Sequence, residues 1–166
     1  MEVILSEKVS IGFPAMRVES GEKRVFLPDF IGKLSQIGFK VAIEKGYGSS
    51  LNFSFEDYKK SGIQGNEVDR KEAFRQDIVL ILRSPSGVEL RMMKENTCLI
   101  SMLHYPTHPL RLNMLKAKGI NAISLDSIVD DFGVRLVENM RSVAWNGLEA
   151  AFSQFVDCDP NLLPFA

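Results

Sequence analysis

Short runs of apolar residues alternate with amphipathic stretches along most of this chain, a pattern typical of βαβ units. Two runs, residues 77–82 and 98–103, are almost wholly apolar, which predicts strands that are buried on both faces and lie side by side at the centre of a sheet. The pattern predicts further strands over residues 9–13, 39–43 and 121–125 and helices over residues 28–37, 55–60, 88–93 and 109–118. We therefore expect an α/β fold of three layers, with a mainly parallel sheet and helices on both faces, of the Rossmann-like or flavodoxin-like kind.

Start and stop residues support several of these helices. Pro28 suits the first turn of a helix, and Gly38 suits the position just after its end. Ser54 and Asp57 have the spacing of a capping box, which predicts that a short helix begins there and ends before Gly62. These local signals agree with the apolar pattern, so the helices can be placed with the strands.

The last and longest periodic segment is residues 137–155, whose apolar positions recur at helical spacing. Such a stripe needs a cover, and the sequence leaves three candidates open: its own sheet, a second copy of the chain, or a domain that this sequence lacks. We expect an α/β domain over residues 1–136, followed by a connecting helix and tail over residues 137–166.

Composition narrows the class of protein. The 166 residues are 45% hydrophobic and 25% charged, and the formal net charge of -1 gives no electrostatic reason to expect a nucleic acid or an anionic membrane as partner. No apolar run approaches the roughly 18 residues of a transmembrane helix, and the N-terminus does not resemble a signal peptide. The two cysteines, Cys98 and Cys158, suit free thiols in a reducing compartment. We expect a cytoplasmic protein.

Three polar residues stand where this kind of fold binds ligands. Arg83 follows the strand at 77–82, His104 follows the strand at 98–103, and Arg24 lies in a polar turn before the first helix. Open α/β sheets bind ligands beyond the carboxyl ends of their strands, where an arginine can pair with a carboxylate and a histidine can exchange a proton. Each residue also has a plainer interpretation: a solvated arginine in a loop or at a sheet edge, and a histidine bonded to the backbone at a strand end.

Two other patterns do not indicate a cofactor or metal site. Gly46-Tyr-Gly48 lacks the third glycine of a dinucleotide fingerprint and is not followed by a helix in register, so we interpret it as a turn. His104 and His108 are separated by Pro106, which prevents a shared helical face, and no third ligand is evident, so we expect no metal. We expect His108 to help start the following helix.

Five motifs occur in the order of a known family. They are residues 11–14 (Ile-Gly-Phe-Pro), 22–28 (Glu-Lys-Arg-Val-Phe-Leu-Pro), 44–48 (Glu-Lys-Gly-Tyr-Gly), 53–62 (Phe-Ser…Tyr…Gly) and 101–104 (Ser-Met-Leu-His). Together they resemble the N-terminal, substrate-binding domain of the alanine dehydrogenase and nicotinamide nucleotide transhydrogenase superfamily, which includes saccharopine dehydrogenase and carboxyethylornithine synthase. The resemblance runs from about residue 9 to residue 128.

The resemblance implies roles for the three candidates. Arg24 would bind the substrate carboxylate, His104 would be the catalytic acid and base, and Arg83 stands where the family commonly has a substrate-contacting lysine. A lysine and an arginine are not interchangeable, so this position departs from the family. The resemblance also places NAD(H) or NADP(H) on a second domain that this sequence lacks, with no cofactor site on this chain.

We therefore expect the substrate-binding half of an NAD(P)-dependent amino-acid or opine-type dehydrogenase, an oxidoreductase acting on CH–NH2 or CH–NH groups. Its partners would be a small amino or oxo acid and, through the helix at 137–155, a nucleotide-binding domain or a second copy. Alone, it would not be catalytically complete. The alternative is a stand-alone, non-catalytic module of the same fold that binds a small acid or has a regulatory role.

Overall fold

A computed structural model describes residues 9–16, 24–137 and 140–158 of the chain. The chain forms two compact units, residues 1–127 and residues 128–166. The boundary predicted between residues 136 and 137 stays a prediction. Within the described residues, no helix is both long enough and apolar enough to cross a membrane.

The first unit is a six-stranded sheet in which every described pairing is parallel. Its strands are β1 (Ser10–Phe13), β2 (Lys40–Glu44), β3 (Gly65–Val68), β4 (Ile78–Arg83), β5 (Cys98–Met102) and β6 (Asn121–Ser124). Its α-helices are α1 (Pro28–Gln36), α2 (Phe55–Lys60), α3 (Arg70–Ala73), α4 (Gly87–Met92) and α5 (Pro109–Ala117). The predicted α/β class and parallel sheet are confirmed.

The strand order is β3-β2-β1-β4-β5-β6. The chain therefore builds outward from β1 in one direction through β2 and β3, then returns past β1 to add β4, β5 and β6 on the other side. The pair β1 and β4 is the point where the direction of winding reverses. In open α/β sheets, ligands bind in the crevice at the carboxyl ends of such a pair.

Burial on both faces explains the apolar character of β4. Val79 and Ile81 lie in one core cluster, together with Leu90 of α4 and Leu115 of α5. Leu80, the residue between them, lies in a second cluster. Because successive side chains of a strand point to opposite faces, a strand covered on both sides must be apolar throughout. The predicted central position of β4 beside β5 is confirmed.

Two elements of the first unit carry no apolar signal in the sequence. The edge strand β3 (Gly-Asn-Glu-Val) has mostly exposed or half-buried side chains, and α3 has four residues. The start of β3 approaches β2 so closely that a Cβ on Gly65 would overlap the carbonyl oxygen of Val41. A Cβ on Gly12 of β1 would likewise overlap the carbonyl oxygen of Ala73, so glycine lets α3 pack directly against β1.

The second unit contains a turn and the longest helix. A bridge between Val129 and Arg135 closes the turn, and the Asp130 carboxylate accepts hydrogen bonds from the N–H groups of Phe132 and Val134, at 2.9 and 2.8 Å. The helix α6 spans Met140–Cys158, which begins later than the predicted residue 137. Residues 138, 139 and 159–166 lie outside the described residues.

Candidate functional site

An open cavity of about 470 Å³ lies at the carboxyl ends of β1 and β4, at the point where the winding reverses. Its walls come from the segment after β1, the first residue of α3, the end of β4 with the loop that follows, and helices α4 and α5. They consist of Met16, Arg70, Ile81, Arg83, Ser84, Pro85, Ser86, Val88, Glu89, Met92 and Arg111. Three arginines and one glutamate are its charged residues, so the lining is cationic. This place and this charge suit an anionic ligand.

Arg83 is the last residue of β4 and the one predicted site residue that lines this cavity. The ladder between β4 and β5 is irregular just before it: Leu80 pairs with Ile100, but Arg83 pairs with Met102. Three steps along β4 therefore match two along β5, and an extra residue of this kind re-aims the side chains that follow it. The exposed Arg83 thus reaches the cavity from the end of a buried strand.

Arg70 is held in the cavity wall by two carboxylates. Its Nη1 lies 2.8 Å from Oε2 of Glu44, and its Nη2 donates a hydrogen bond to Oε1 of Glu89. Nη1 also donates to the carbonyl oxygen of Ala15 at 2.9 Å. The three charged side chains are only 19%, 14% and 15% exposed, so this network is largely shielded from water. It ties α3 to β2 and α4.

Glu89 also belongs to the capping box of α4, where its carboxylate accepts a hydrogen bond from the N–H of Ser86 at 2.7 Å. Burial opposes ionisation of Glu89, but the hydrogen bonds from Ser86 and Arg70 outweigh it, and its pKa lies below the ordinary value. Glu89 is therefore ionised at neutral pH and compensates Arg70.

Arg111 enters the cavity from the first turn of α5. Its Nη1 donates a hydrogen bond to the carbonyl oxygen of Leu103 at 3.0 Å. Within the described part of the chain, no carboxylate pairs with this guanidinium. Arg111 is therefore bonded to a neutral carbonyl oxygen, whereas Arg70 is bonded to two carboxylates.

His104 follows β5, as predicted, and has a left-handed backbone conformation with φ 49°. Its side chain is 53% exposed, and its Nδ1 lies 3.2 Å from Oδ2 of Asp126, a carboxylate that is only 6% exposed. Asp126 also accepts hydrogen bonds from the N–H of Leu103 at 3.0 Å, from the N–H of His104 and from the hydroxyl of Ser124. Burial raises the pKa of Asp126, but these bonds outweigh burial and hold it below the ordinary value.

The predicted meeting of Arg24, Arg83 and His104 in one cleft stays a prediction. Arg83 lines the cavity, and Arg24 and His104 are not among its described lining residues. Arg24 is exposed in the segment that leads to α1. His104 is the residue after Leu103, to which Arg111 of the cavity wall is bonded. His108 occupies the N-cap position of α5 without capping the helix through its side chain.

The Gly46-Tyr-Gly48 segment is a turn, as interpreted from the sequence. Both glycines have positive φ, 77° and 87°, and a short 3-10 helix (Ser49–Leu51) follows. A Cβ on Gly48 would lie 2.7 Å from the hydroxyl of Tyr58, so the protein's own core fills the space beside this glycine. No group of three potential metal ligands occurs among the described residues.

Sequence reasoning missed the residues that complete the site. Arg70 follows β3, an edge strand without an apolar signal, Arg111 lies in the helix α5, and Asp126 follows the short strand β6. A local signal existed only for Glu89, because Ser86 and Glu89 have capping-box spacing. The other contacts join residues far apart in sequence, which periodicity does not reveal.

Comparison with known proteins gives a consistent result. The family model described as "Alanine dehydrogenase/PNT, N-terminal domain" matches residues 15–144. Alanine dehydrogenase 1 of Staphylococcus aureus (strain N315) is 28% identical over 128 residues, which are 76% of this chain and 34% of that protein.

Solved structures agree with this match. An L-alanine dehydrogenase has a TM-score of 0.66 at 26% identity, covering 75% of this chain and 34% of that one. A transhydrogenase from Sinorhizobium meliloti shares the fold, with a TM-score of 0.63 at 20% identity, covering 74% of this chain and 36% of that one. The chain thus spans about a third of the length of the relatives it matches. It belongs to the family of alanine dehydrogenase/PNT N-terminal domains.

Proposed function

We propose that this chain is the substrate-binding half of an NAD(P)-dependent amino-acid dehydrogenase similar to alanine dehydrogenase, and that it binds the carboxylate of a 2-oxo or 2-amino acid. The observation that carries the proposal is the position of Arg83, at the carboxyl end of β4 in a cationic cavity at the β1/β4 reversal. Family membership and the names of the relatives support the reaction class. In this proposal, the guanidinium of Arg83 pairs with the substrate carboxylate, and Arg24 binds the same group.

His104 is proposed as the acid and base that exchanges a proton with the substrate. Because Nδ1 faces the carboxylate of Asp126, that nitrogen carries its proton toward Asp126, and Nε2 is left to accept or donate the transferred proton. Asp126 is a positioning residue in this scheme, because its carboxylate orients the ring. Its low pKa supports this role, since it stays ionised at neutral pH.

The nicotinamide cofactor supplies the hydride chemistry when bound. The one Gly-x-Gly turn does not fit it, because Gly48 packs against Tyr58 and the turn leaves no cradle for phosphates there. We therefore assign NAD(H) or NADP(H) to a second domain, and this chain's own residues to binding and proton exchange.

The alternative is a non-catalytic module that binds a small acid. The presence of arginine at position 83, where the resemblance implies a lysine, favours it. Both proposals share the carboxylate site and differ only in whether His104 takes part in a reaction.

Carboxylate binding can be tested on this chain by titrating pyruvate and L-alanine against the 15N-labelled protein and following amide shifts. We expect shifts around the cavity and a loss of affinity of about 10- to 100-fold in Arg83→Ala, the usual cost of a charged hydrogen bond. Arg75→Ala is the matched control, because Arg75 is exposed and does not line the cavity. Equal affinities in the wild type and Arg83→Ala would contradict the proposed site.

Catalysis is tested by joining this chain to its nucleotide-binding domain. His104→Asn should lower kcat by ~10²–10⁴-fold if His104 is the general acid, and Arg24→Ala should mainly raise the KM for the oxo acid. Full activity in His104→Asn would contradict the acid and base role of His104, and a joined wild-type protein without activity would favour the non-catalytic alternative.

A further inference from the structure

Besides Arg83, the cavity wall contains Arg111, whose positive charge has no acidic partner among the described residues. Arg111 donates one N–H to the carbonyl oxygen of Leu103, and no carboxylate pairs with it within the described residues. An arginine has five N–H donors in a planar fork, so one hydrogen bond to a neutral carbonyl leaves most of its capacity for a ligand.

The other charges of the lining do not offset Arg111. Glu89 is the one carboxylate among the described residues that line the cavity, and it is already bound by Arg70 and by the N–H of Ser86. Arg70 in turn is compensated by Glu44 and Glu89. An anionic group of a ligand beside Arg111 would therefore meet a cation that no carboxylate compensates. The charge of Glu89 is compensated by Arg70 and does not act against such a group.

The position of Arg111 separates it from Arg83 along the cavity. A neighbouring groove shares Pro85, Ser86 and Arg111 with the cavity, whereas Arg83 lines the cavity but not the groove. Arg111 thus lies where the two spaces meet. A ligand that is held at Arg83 and extends toward the groove would meet Arg111.

The volume of the cavity suits a ligand longer than a three-carbon acid. About 470 Å³ is within the range of cavities that bind cofactors and drug-sized molecules. Ser84 also lines the cavity, and its hydroxyl oxygen is buried with no hydrogen-bond partner among the described residues. A rotation about its Cα–Cβ bond would give that hydroxyl to a polar group of the ligand.

We infer that the cavity has a second anion subsite at Arg111, and that the substrate is a 2-oxo or 2-amino acid with a second carboxylate at its far end. This inference rests on the proposed function, since it takes Arg83 as the site of the first carboxylate. It adds the substrate class and makes Arg111 a residue that determines specificity.

Two probes of equal carbon-chain length test this. 2-Oxoglutarate has the second carboxylate, and 2-oxopentanoate has a methyl group in its place. By calorimetry or NMR titration of the chain, we expect 2-oxoglutarate to bind at least about tenfold more tightly. Arg111→Gln should remove this preference, because glutamine keeps a donor for the carbonyl oxygen of Leu103 but has no charge. Arg75→Gln, at an exposed position, is the control.

The outcomes separate this inference from the proposed function. If 2-oxopentanoate binds as tightly as 2-oxoglutarate and Arg83→Ala weakens both, the second subsite is overturned and the carboxylate site stands. If Arg111→Gln weakens both probes equally, Arg111 supports the structure of the site and the inference is again overturned. If neither probe binds the wild-type chain, the proposed function fails together with the inference.

Discussion

Replacing Arg70 by methionine should destabilise the protein strongly. The change removes the cation between Glu44 and Glu89 and leaves two carboxylates in a wall where the side chains are only 14% and 15% exposed. Removing one partner of a buried pair costs about 3–5 kcal/mol, because the remaining charge is left without compensation. Water still reaches part of this network, so we expect a loss of free energy of unfolding of about 3 kcal/mol at neutral pH.

Acid should reduce this difference. The pKa of Glu89 is depressed in the folded protein, so its contribution to stability is present above the pKa of the unfolded chain and is lost as pH falls through the folded-state value. In Arg70→Met, the hydrogen bonds and charge of Arg70 no longer lower that pKa. The wild type and the variant should therefore become more alike in stability toward and below pH ~4.

Urea denaturation followed by far-UV circular dichroism measures this effect. Arg75→Met is the control, because Arg75 is exposed, and it should change stability by no more than about 0.5 kcal/mol. The triple variant Glu44→Gln/Arg70→Met/Glu89→Gln should recover much of the loss, since it removes the stranded charges while glutamine still accepts the hydrogen bonds from Ala15 and Ser86. A loss below about 1 kcal/mol in Arg70→Met, or a triple variant no more stable than Arg70→Met, would refute this reasoning.

Three further predictions concern other parts of the chain. Hydrogen bonds from Ser10 lower the pKa of Asp77 from 3.8 to about 2. Ser10→Ala should therefore lower the free energy of unfolding at pH 7, by less than about 1 kcal/mol because Asp77 is half exposed. Urea titrations should show this loss shrinking as pH falls from 4 toward 2. Asp126→Asn should cost at least about 2 kcal/mol at pH 7, and an unchanged urea midpoint would contradict the assigned hydrogen bonds. Trp145 on helix α6 is 70% exposed, and we expect the chain to self-associate through this helix. A single monomeric species in sedimentation at high concentration would contradict this prediction.

The central sheet was predictable because burial leaves a mark in the sequence. β4 and β5 are covered on both faces, so most of their positions select for apolar residues. Pro28 and Ser54 mark helix starts through local geometry. β3 lies at the edge with polar side chains, and its backbone pairing with β2 does not depend on side-chain type. A strand of this kind has no apolar period to detect.

The site was predictable only in part. Arg83 could be placed at the correct edge, since the carboxyl ends of parallel strands lie together. Its companions could not: Arg70 follows a strand without a signal, and Arg111 reaches the cavity from a helix. Which side chains meet there depends on the β1/β4 reversal and on the bulge before Arg83, and both are properties of the assembled sheet.

The backbone at the end of β5 is held from two sides, and this explains how a non-glycine residue keeps a left-handed conformation there. Asp126 accepts the N–H groups of Leu103 and His104, while Arg111 donates to the carbonyl oxygen of Leu103. A left-handed non-glycine residue persists only where its surroundings over-determine it, and such positions cluster at functional sites. An anion at β6 and a cation at the cavity thus fix the same turn. Arg111 belongs to the cavity wall and is also bonded to Leu103, the residue before His104. A ligand bound at Arg111 would therefore contact a side chain that holds this turn, which links the proposed specificity of the cavity to the proposed proton exchange.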